Sequence, residues 1–433
     1  MRFNDSESGS KISSDLKSDS NPGFSSQTSD CAQVFSPLLP RLQQQLHQRE
    51  QAGLLRRRLR RDSSQQPQQI IDSRTMISFC SNDYLGLANH PQVIAAFQSA
   101  AHRYGVGSGA SHLVSGHCAA HQLLEEELAA FLGRDKVLLF STGYMANTGI
   151  INALVGADGL VLQDSLNHAS LLDGGWLSRA QSQRYPHRNM QALENMLSAA
   201  QNAQFNHVLV VSDGVFSMDG DLAPLSELIA LTQKTGAWLM IDDAHGIGCL
   251  GESGRGIIEI KGELFTQQQV PILVGTLGKA FGTAGAFVAG DADLIDYLVQ
   301  FARPYVFSTA MPPALAEASR VSLRLLQDEH WRRERLRSLI KQFRDAATAL
   351  NLPLADSHTS IQAIIFGDVR TTLAASGILA QRGLHVSAIR PPTVPAGTSR
   401  LRITLSASHS DEHLQRLISG LEQISCTLTP VTF

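Results

Sequence analysis

The sequence predicts an α/β fold in which a mostly parallel sheet carries helices on both faces, followed by a smaller C-terminal α/β domain. The first observation is a series of short, continuously apolar runs, which is typical of strands buried on both faces. The second is that helix-like stretches such as HQLLEEELAAFLG and PLSELIALTQKTG separate these runs. The predicted strands are Val137–Phe140, Leu160–Leu162, Val208–Val211, Trp238–Ile241, Ile272–Val274 and Ala286–Ala289.

The same patterns divide the 433 residues into four segments. The first segment is rich in Ser, Asp, Asn and Gln, and too few apolar side chains are present for it to fold alone. A helical pattern extends over residues 38–60, and strands such as SIQAIIFG and RLRITLS alternate with helices near the end of the chain. The predicted segments are a disordered tail (1–35), an N-terminal helix and strand segment (36–85), a large cofactor-binding domain (86–320) and a small C-terminal domain (321–433).

Composition excludes several classes of protein. The formal charge of −3 gives no overall electrostatic footprint for nucleic acid, although a basic run lies at Arg56–Arg61. No apolar run approaches the roughly 20 residues that span a bilayer, so no membrane partner is expected. The five cysteines are scattered and form no CxxC pair, which argues against a disulfide framework or zinc ribbon and favours the reducing cytoplasm.

Lys279 is the sharpest local signal. It stands between glycines in TLGKAFG, after an apolar strand and three residues beyond the hydroxyl of Thr276. Glycines let the backbone approach a ligand closely, and a lysine shielded from water can attack a carbonyl group. Ala280 follows the lysine, so the segment lacks the G-x-x-x-x-G-K-[ST] pattern of a nucleotide phosphate loop. Taken alone, a lysine in a surface turn explains the same residues.

A carboxylate and a histidine follow another predicted strand, AWLMI. In a parallel sheet the carboxyl ends of the strands open into the ligand crevice. Asp242 could therefore pair with a protonated ring nitrogen, and His245 could reach a phenolic oxygen. A metal site or a helix cap remains the alternative for DDAH alone. The combination with Lys279 indicates a cofactor site.

Two small-residue turns complete this pattern. Gly143 and Tyr144 open a predicted helix directly after the strand VLLF, where free N–H groups and the helix dipole favour a phosphate. His168 follows the strand GLVLQD and could stack on a flat cofactor ring. An ordinary strand–helix turn and a structural histidine are the respective alternatives.

Two other patterns are expected to be incidental. GVGSGA, Gly105–Ala110, matches a dinucleotide-binding pattern, but the preceding VIAAFQSAAHRY has a helical pattern where the motif requires a strand. This argues against an NAD-dependent dehydrogenase. His112 and His117 lie in a loop rich in Gly and Ser and share no helical face with His121, so we expect ordinary polar positions and no metal site.

Eight motifs occur in the order and spacing of one family. They are SNDYLGL, GSGASHLVSG, TGYMANTGI, NHASLLDG, DGVFSMDGDLAPL, IDDAHGIGCLGESGRG, GTLGKAFG and FSTAMPP. Over roughly residues 38–425 the chain resembles the α-oxoamine synthases, which are pyridoxal-phosphate enzymes. The resemblance implies a fold-type I architecture, pyridoxal 5'-phosphate as cofactor and a homodimer with active sites at the subunit interface.

The resemblance also implies a role for each matching residue. Lys279 would hold the cofactor as a Schiff base and then remove the Cα proton of the amino acid, while Asp242 would keep the ring nitrogen protonated. His168 would stack on the ring and contact substrate. The remaining cofactor contacts would come from His245 and Ser217 at the phenolic oxygen and from Gly143, Tyr144 and Thr276 around the phosphate.

Two segments, one near each end of the chain, determine which substrate is expected. IRPPTVPAGTSRLRITLSASHS and LLRRR most resemble the biotin-pathway member of the family, which joins L-alanine to a pimeloyl thioester carried on CoA or acyl carrier protein and releases CO2. Arg56 and Thr393 are therefore expected to hold the acyl substrate, and the other nearby arginines are interpreted as a solvated helix face. The alternatives are a family member using glycine or serine with another acyl-CoA, or a catalytically silent partner-binding homologue, which would lack Lys279.

Overall fold

The computed structural model describes residues 38–203, 205–260 and 262–427. The predicted disordered tail, 1–35, lies outside the described residues. The chain divides into two units, Met1–Arg57 and Arg58–Phe433. The boundary predicted at residue 320 stays a prediction. Within the described part of the chain, no helix is both long and apolar enough to cross a membrane.

The described part of the first unit is mainly helix α1, Leu38–Gln51. The helical pattern predicted a longer helix, to residue 60, and this expectation is wrong. Gly53 adopts a left-handed conformation (φ 67°), and the N–H of Leu54 donates to the carbonyl of Arg49 at 2.7 Å. A left-handed glycine that satisfies the last carbonyls is a common helix end, and the chain then leaves the helical path.

Most of the second unit consists of short strands and helices in alternation. The strands are β1 (Gln68–Ile71), β2 (Arg74–Ser78), β3 (Lys136–Phe140), β4 (Gly159–Asp164), β5 (Gln181–Tyr185), β6 (His207–Asp213), β7 (Trp238–Asp242), β8 (Glu259–Ile260), β9 (Glu263–Leu264), β10 (Ile272–Thr276), β11 (Ala286–Gly290), β12 (Ile361–Gly367), β13 (Leu384–His385), β14 (Ser387–Ile389) and β15 (Ser399–Thr404). The helices are α2 (Pro91–Tyr104), α3 (Ala119–Leu132), α4 (Gly143–Leu154), α5 (Ala169–Leu177), α6 (Met190–Asn202), α7 (Leu225–Thr235), α8 (Ala292–Phe301), α9 (Arg303–Val306), α10 (Pro313–Asp328), α11 (Trp331–Ala349), α12 (Val369–Gln381) and α13 (Asp411–Thr427).

The central sheet has seven strands in the order β3-β11-β10-β7-β6-β4-β5. All its pairings are parallel except those of β11, which runs antiparallel to both neighbours. The predicted mostly parallel sheet is therefore confirmed. In the register, Asp213 lies opposite Asp242, and Asp242 lies opposite Val274. The carboxyl ends of β6, β7 and β10 consequently meet at one edge.

Both faces of this sheet are buried, because successive side chains of one strand enter different apolar clusters. Leu209 of β6 and Met240 of β7 belong to one cluster, whereas their neighbours Val210 and Ile241 belong to the other. Side chains alternate between the two faces of a strand, so each face carries its own core. This arrangement confirms helices on both faces.

The C-terminal part contains a three-stranded sheet in the order β12-β15-β14, with β15 antiparallel to both neighbours. A second small sheet, β1-β2-β13, joins the start of this unit to its C-terminal part. The predicted C-terminal strands are thus present. Helix α2 directly precedes Gly105, which confirms that GVGSGA follows a helix and not a strand.

Candidate active site

Asp242 ends β7 at the carboxyl edge of the central sheet and is 6% exposed. Its Oδ2 accepts a 2.6 Å hydrogen bond from Asn147 Nδ2, and its Oδ1 accepts the N–H of Ala244 at 3.0 Å. Asn147 lies on α4 and also donates to Ser170 Oγ on α5, at 2.9 Å. Two helices on one face of the sheet therefore fix the orientation of this carboxyl group.

Two further acids are buried beside Asp242. Burial, together with the charge of Asp242, raises the pKa of Asp213 well above its usual range. Burial does the same to the pKa of Asp243, which is fully enclosed. A shift in this direction disfavours the charged form of a carboxyl group. Burial therefore opposes the accumulation of three negative charges at this edge.

Lys279 follows β10, the strand next to β7. Burial lowers the pKa of its amine to about 8, and the charges of Asp242 and Asp213 oppose this effect. A lysine amine with this pKa is partly unprotonated near neutral pH, which is the nucleophilic and basic form. The structure therefore brings Lys279 and Asp242 together, as the sequence predicted.

His168 and His245 lie in the same electrostatic environment. His168 precedes α5, and its Nδ1 lies 2.7 Å from Ser170 Oγ. Burial lowers the pKa of His168. His245 has its Nδ1 2.7 Å from the hydroxyl of Tyr84, and burial with the charge of Lys279 lowers its pKa well below the usual range. Both rings are therefore neutral and can accept or donate hydrogen bonds without adding charge.

The N-terminus of α4 opens into free space. The N–H groups of Gly143 and Tyr144 precede the first intrahelical bond, which runs from Ala146 to the carbonyl of Thr142. A Cβ added at Gly143 would meet no atom closer than 4.0 Å. Such a helix end favours an anion. Thr276 ends β10, and its hydroxyl donates to the carbonyl of Gly285 at 3.0 Å.

The remaining predicted residues are more scattered. Ser217 contributes its backbone carbonyl to a 2.6 Å hydrogen bond from Arg402 Nε. Thr393 is exposed, in a turn closed by its N–H and the carbonyl of Arg390 at 3.1 Å. Arg56 is exposed and belongs to the first unit. Their assigned roles stay predictions.

Arg402 is a residue of the site that sequence reasoning missed. It lies on β15, is 7% exposed, and its two terminal nitrogens are 3.3–3.4 Å from Asn82 Oδ1. Its charge contributes to the lowered pKa values of Lys279 and His245. The signal was present in RLRITLS, because two arginines at alternate positions of an apolar strand point to one face and need anionic or carbonyl partners there.

His187 joins two acids at the border of the site. Its Nδ1 is 2.9 Å from Asp164 Oδ1, and its Nε2 is 2.8 Å from Asp221 Oδ2. Burial alone would lower the pKa of His187, but the two hydrogen-bonded carboxylates raise it to about 9. The ring also packs edge-on against Phe216, so this ion cluster supports the segment that carries Ser217.

Comparison with known proteins agrees with this geometry. The model of the family described as aminotransferase class I and II matches residues 74–421. The chain belongs to this family, in its α-oxoamine synthase branch. The 8-amino-7-oxononanoate synthase of Saccharophagus degradans is 56% identical over 353 residues, which cover 82% of this chain and 88% of the relative. That of Pseudomonas syringae pv. syringae is 55% identical over 382 residues, or 88% and 95% of the two chains.

Solved structures give the same architecture. A serine palmitoyltransferase from S. paucimobilis with bound PLP has a TM-score of 0.84 and 30% identity, covering 92% of this chain and 99% of that chain. An 8-amino-7-oxononanoate synthase from Francisella tularensis has a TM-score of 0.70 and 29% identity, covering 81% and 97%. The predicted fold-type I architecture is confirmed.

The charge of His187 predicts a pH-dependent stability. Its folded pKa of about 9 exceeds the unfolded value of about 6.5, so its contribution is complete below pH 6.5 and is lost as the pH rises through 9. In urea unfolding of the cofactor-loaded protein, His187→Gln should lower the free energy of unfolding by about 2–3 kcal/mol at pH 6.5 and by much less above pH 9.5. His207→Gln, at an exposed position, is the control. A difference that stays constant with pH would contradict the charged role of His187.

Proposed function

We propose that the protein is an acyltransferase of biotin synthesis that condenses L-alanine with a pimeloyl thioester to give 8-amino-7-oxononanoate, CO2 and the free thiol carrier. The observation that carries the proposal is the Lys279 amine, with a pKa of about 8, beside Asp242 at the sheet edge. The acyl substrate is proposed from the 8-amino-7-oxononanoate synthases that are 55–56% identical over most of the chain. The cofactor is pyridoxal 5'-phosphate.

The residues present fit this cofactor. The open N-terminus of α4 at Gly143 and Tyr144 would hold the phosphate, with the hydroxyl of Thr276. Asp242 would hold a proton on the ring nitrogen, since a nearby opposite charge favours the charged form. The neutral rings of His168 and His245 would lie against the flat ring and its phenolic oxygen, with Ser217 near that oxygen. When bound, the cofactor supplies an electron sink for the charge left at Cα.

Lys279 and Arg402 would handle the alanine. The Lys279 amine takes the Cα proton, for which a pKa near the working pH is well suited. Arg402 binds the alanine carboxylate, because Ser217 holds only its Nε firmly and Asn82 makes only long contacts to its terminal nitrogens. A guanidinium presents two parallel donors to a carboxylate.

Between heavy atoms, the acyl transfer forms one bond and breaks two. A C–C bond forms between alanine Cα and the thioester carbonyl carbon, and the C–S bond breaks as the thiol leaves. The alanine carboxylate departs as CO2, and the electron pair that it leaves at Cα takes up a proton, which the protonated Lys279 amine would return. Arg56 and Thr393 would hold the acyl chain, with the Arg56 guanidinium on its distal carboxylate. The thiol carrier is either CoA or acyl carrier protein.

A homodimer in the cytoplasm is part of the proposal. Several large apolar side chains are exposed on the single chain, and such surface favours a second protein surface over water. A second copy would cover them and would complete the active site at the subunit interface. The cysteines at Cys80, Cys118, Cys249 and Cys426 are free thiols, which suits a reducing compartment. The exposed side chains include Val106, Val114, Trp176 and Phe307, at 87%, 78%, 82% and 71% exposure.

Borohydride reduction tests the role of Lys279. Reduction of the loaded protein should fix the cofactor to the peptide that contains residue 279, as read by mass spectrometry. Lys279→Ala should still bind the cofactor non-covalently but lose condensation activity by about 10²- to 10⁴-fold or more, because it removes the base as well as the attachment point. Lys234→Ala, at an exposed helix position, is the control. A reduced adduct on another lysine would end the proposal.

Asp242→Asn tests the charge at the ring nitrogen. Exchange of the alanine Cα proton with solvent, followed by NMR without acyl donor, should slow by more than about a hundredfold, equivalent to ~3 kcal/mol. Asp243→Asn is the matched control. Burial raises the pKa of Asp243 and disfavours its charge, so an amide is a small electrostatic change there, and exchange in that variant should stay within about tenfold of the parent. Equal exchange rates in the parent and a folded, loaded Asp242→Asn variant would refute the assignment.

Arg56→Ala tests the acyl site. The substitution should reduce the preference for pimeloyl thioester over an uncharged acyl thioester of similar length by about ten- to a hundredfold in kcat/KM, as for loss of a charge-assisted hydrogen bond. Cα exchange on alanine should be unchanged. Arg58→Ala is the control within the basic run. If both acyl donors lose activity equally, Arg56 holds the fold or the dimer, and if neither does, the run is a solvated face.

A further inference from the structure

Three histidines come together where the loop between α2 and α3 meets the start of α3. His112 begins a five-residue π-helical turn, His112–Gly116, and His117 follows it, while His121 lies in the first turn of α3. Each residue offers one ligand nitrogen, and these atoms all lie within 4.8 Å of one another. We propose that His112, His117 and His121 bind one divalent transition-metal ion per chain.

The hydrogen bonds on the far side of two rings orient their lone pairs. His121 Nε2 lies 2.7 Å from the carbonyl of Met311, which can only accept, so Nε2 carries the proton and Nδ1 carries the lone pair. His117 Nε2 lies 3.3 Å from Gln122 Oε1, which also accepts. Metal-binding histidines usually donate their second N–H to such a carbonyl oxygen, and this fixes the tautomer and the ring orientation.

His112 completes the cluster. Its Nδ1 is 2.9 Å from His117 Nδ1, and because His117 Nε2 faces an acceptor, His112 supplies the proton of that bond. Its ring stacks on Tyr305, with centroids 4.9 Å apart and an angle of 12° between the planes. For a metal ion to bind there, the His112 ring would carry its proton on Nε2 instead of Nδ1, so that the ring stays neutral and Nδ1 presents its lone pair. Imidazole nitrogens suit Zn²⁺, Cu²⁺ and Ni²⁺.

A helix-capping role is the competing explanation for His121. Its Nδ1 accepts the N–H of Cys118 at 3.1 Å, as the third residue of a capping box. The Cys118 thiol also lies 3.4 Å from this nitrogen. In a tetrahedral zinc site, Zn–N bonds of about 2.0–2.1 Å place neighbouring nitrogens about 3.3 Å apart. The His112 and His117 rings would therefore open by only a few tenths of an ångström.

A bound metal ion would have a structural role, because it would strengthen the attachment of the loop to the segment before α10. The loop is already joined to the segment before α10 by Ser108 Oγ donating to the Met311 carbonyl at 2.6 Å, and by Ala310 N–H donating to the Ala110 carbonyl at 3.0 Å. His121 donates to the same Met311 carbonyl. A metal ion would add bonds between this anchored histidine and the more exposed part of the loop, which should stabilise the folded chain.

Zinc binding to the full-length, cofactor-loaded protein tests the proposal. After chelator treatment, equilibrium dialysis and elemental analysis should give close to one zinc per chain above the amount held by the His112→Ala/His117→Ala double variant. Each single variant should bind zinc about a hundredfold more weakly, and Gln122→Ala about ten- to a hundredfold more weakly. His102→Ala, at an exposed position on α2, should bind like the parent. Zinc should raise the melting temperature of the parent and not that of the double variant.

His121→Gln separates metal binding from capping. Glutamine at this position can still accept the N–H of Cys118, so α3 keeps its cap while the imidazole is lost. The proposal requires this variant to lose zinc affinity about as strongly as His117→Ala. Zinc binding equal to the parent in His121→Gln would overturn the three-histidine site. So would binding by the parent that does not exceed that of the double variant.

Discussion

The burial of ionisable groups at the carboxyl edge of the central sheet is the constraint on which the rest of the site depends. Asp213, Asp242, Asp243 and Lys279 share a region with little access to water, where each isolated charge would be costly. Burial raises the pKa values of Asp213 and Asp243 and lowers that of Lys279. Asp242 is stabilised differently, by hydrogen bonds from Asn147 and from the backbone. The same burial that limits the number of charges leaves Lys279 with a reactive amine near neutral pH.

The glycines around Asp243 follow from this arrangement. Its Oδ2 accepts the N–H of Ile257 at 2.7 Å, and a Cβ added at Gly214 would lie 2.7 Å from its Oδ1. A Cβ at Gly246 or Gly256 would overlap the carboxyl group outright. Three backbone segments therefore approach one buried acid more closely than a side chain allows. Because Asp243 is fixed in this way, the chain that leaves β7 holds its neighbour Asp242 in one position.

Local patterns predicted the fold well, because continuous apolar runs and strand ends are properties of adjacent residues. The parallel topology then brought Lys279, Asp242 and His245 to one edge. Contacts between distant segments were missed. Arg402 contacts Asn82, 320 residues away in the sequence, and Ser217, 185 residues away. The histidine cluster was missed because His112 and His117 were assigned to a loop rich in Gly and Ser without a shared helical face. The structure instead has a π-helical turn over His112–Gly116, a rare conformation that the sequence pattern did not indicate.

The arginines of β15 connect amino-acid binding to the cofactor region. Arg400 pairs with Asp219, Arg402 holds the carbonyl of Ser217, and the hydroxyl of Ser357 donates to the carbonyl of Gly220 at 3.0 Å. His187 fixes the other end of this segment through Asp221. In the proposed reaction, one carbon loses a proton to Lys279 while its carboxylate rests on Arg402. Both groups must therefore keep a fixed separation, because a displacement of about 1 Å can reduce a rate about a hundredfold. The segment from Ser217 to Asp221 helps to fix the position of Arg402, because it is bound on both sides. Arg400 and Arg402 bind it from the C-terminal sheet, and His187 links it to the end of β4 in the central sheet.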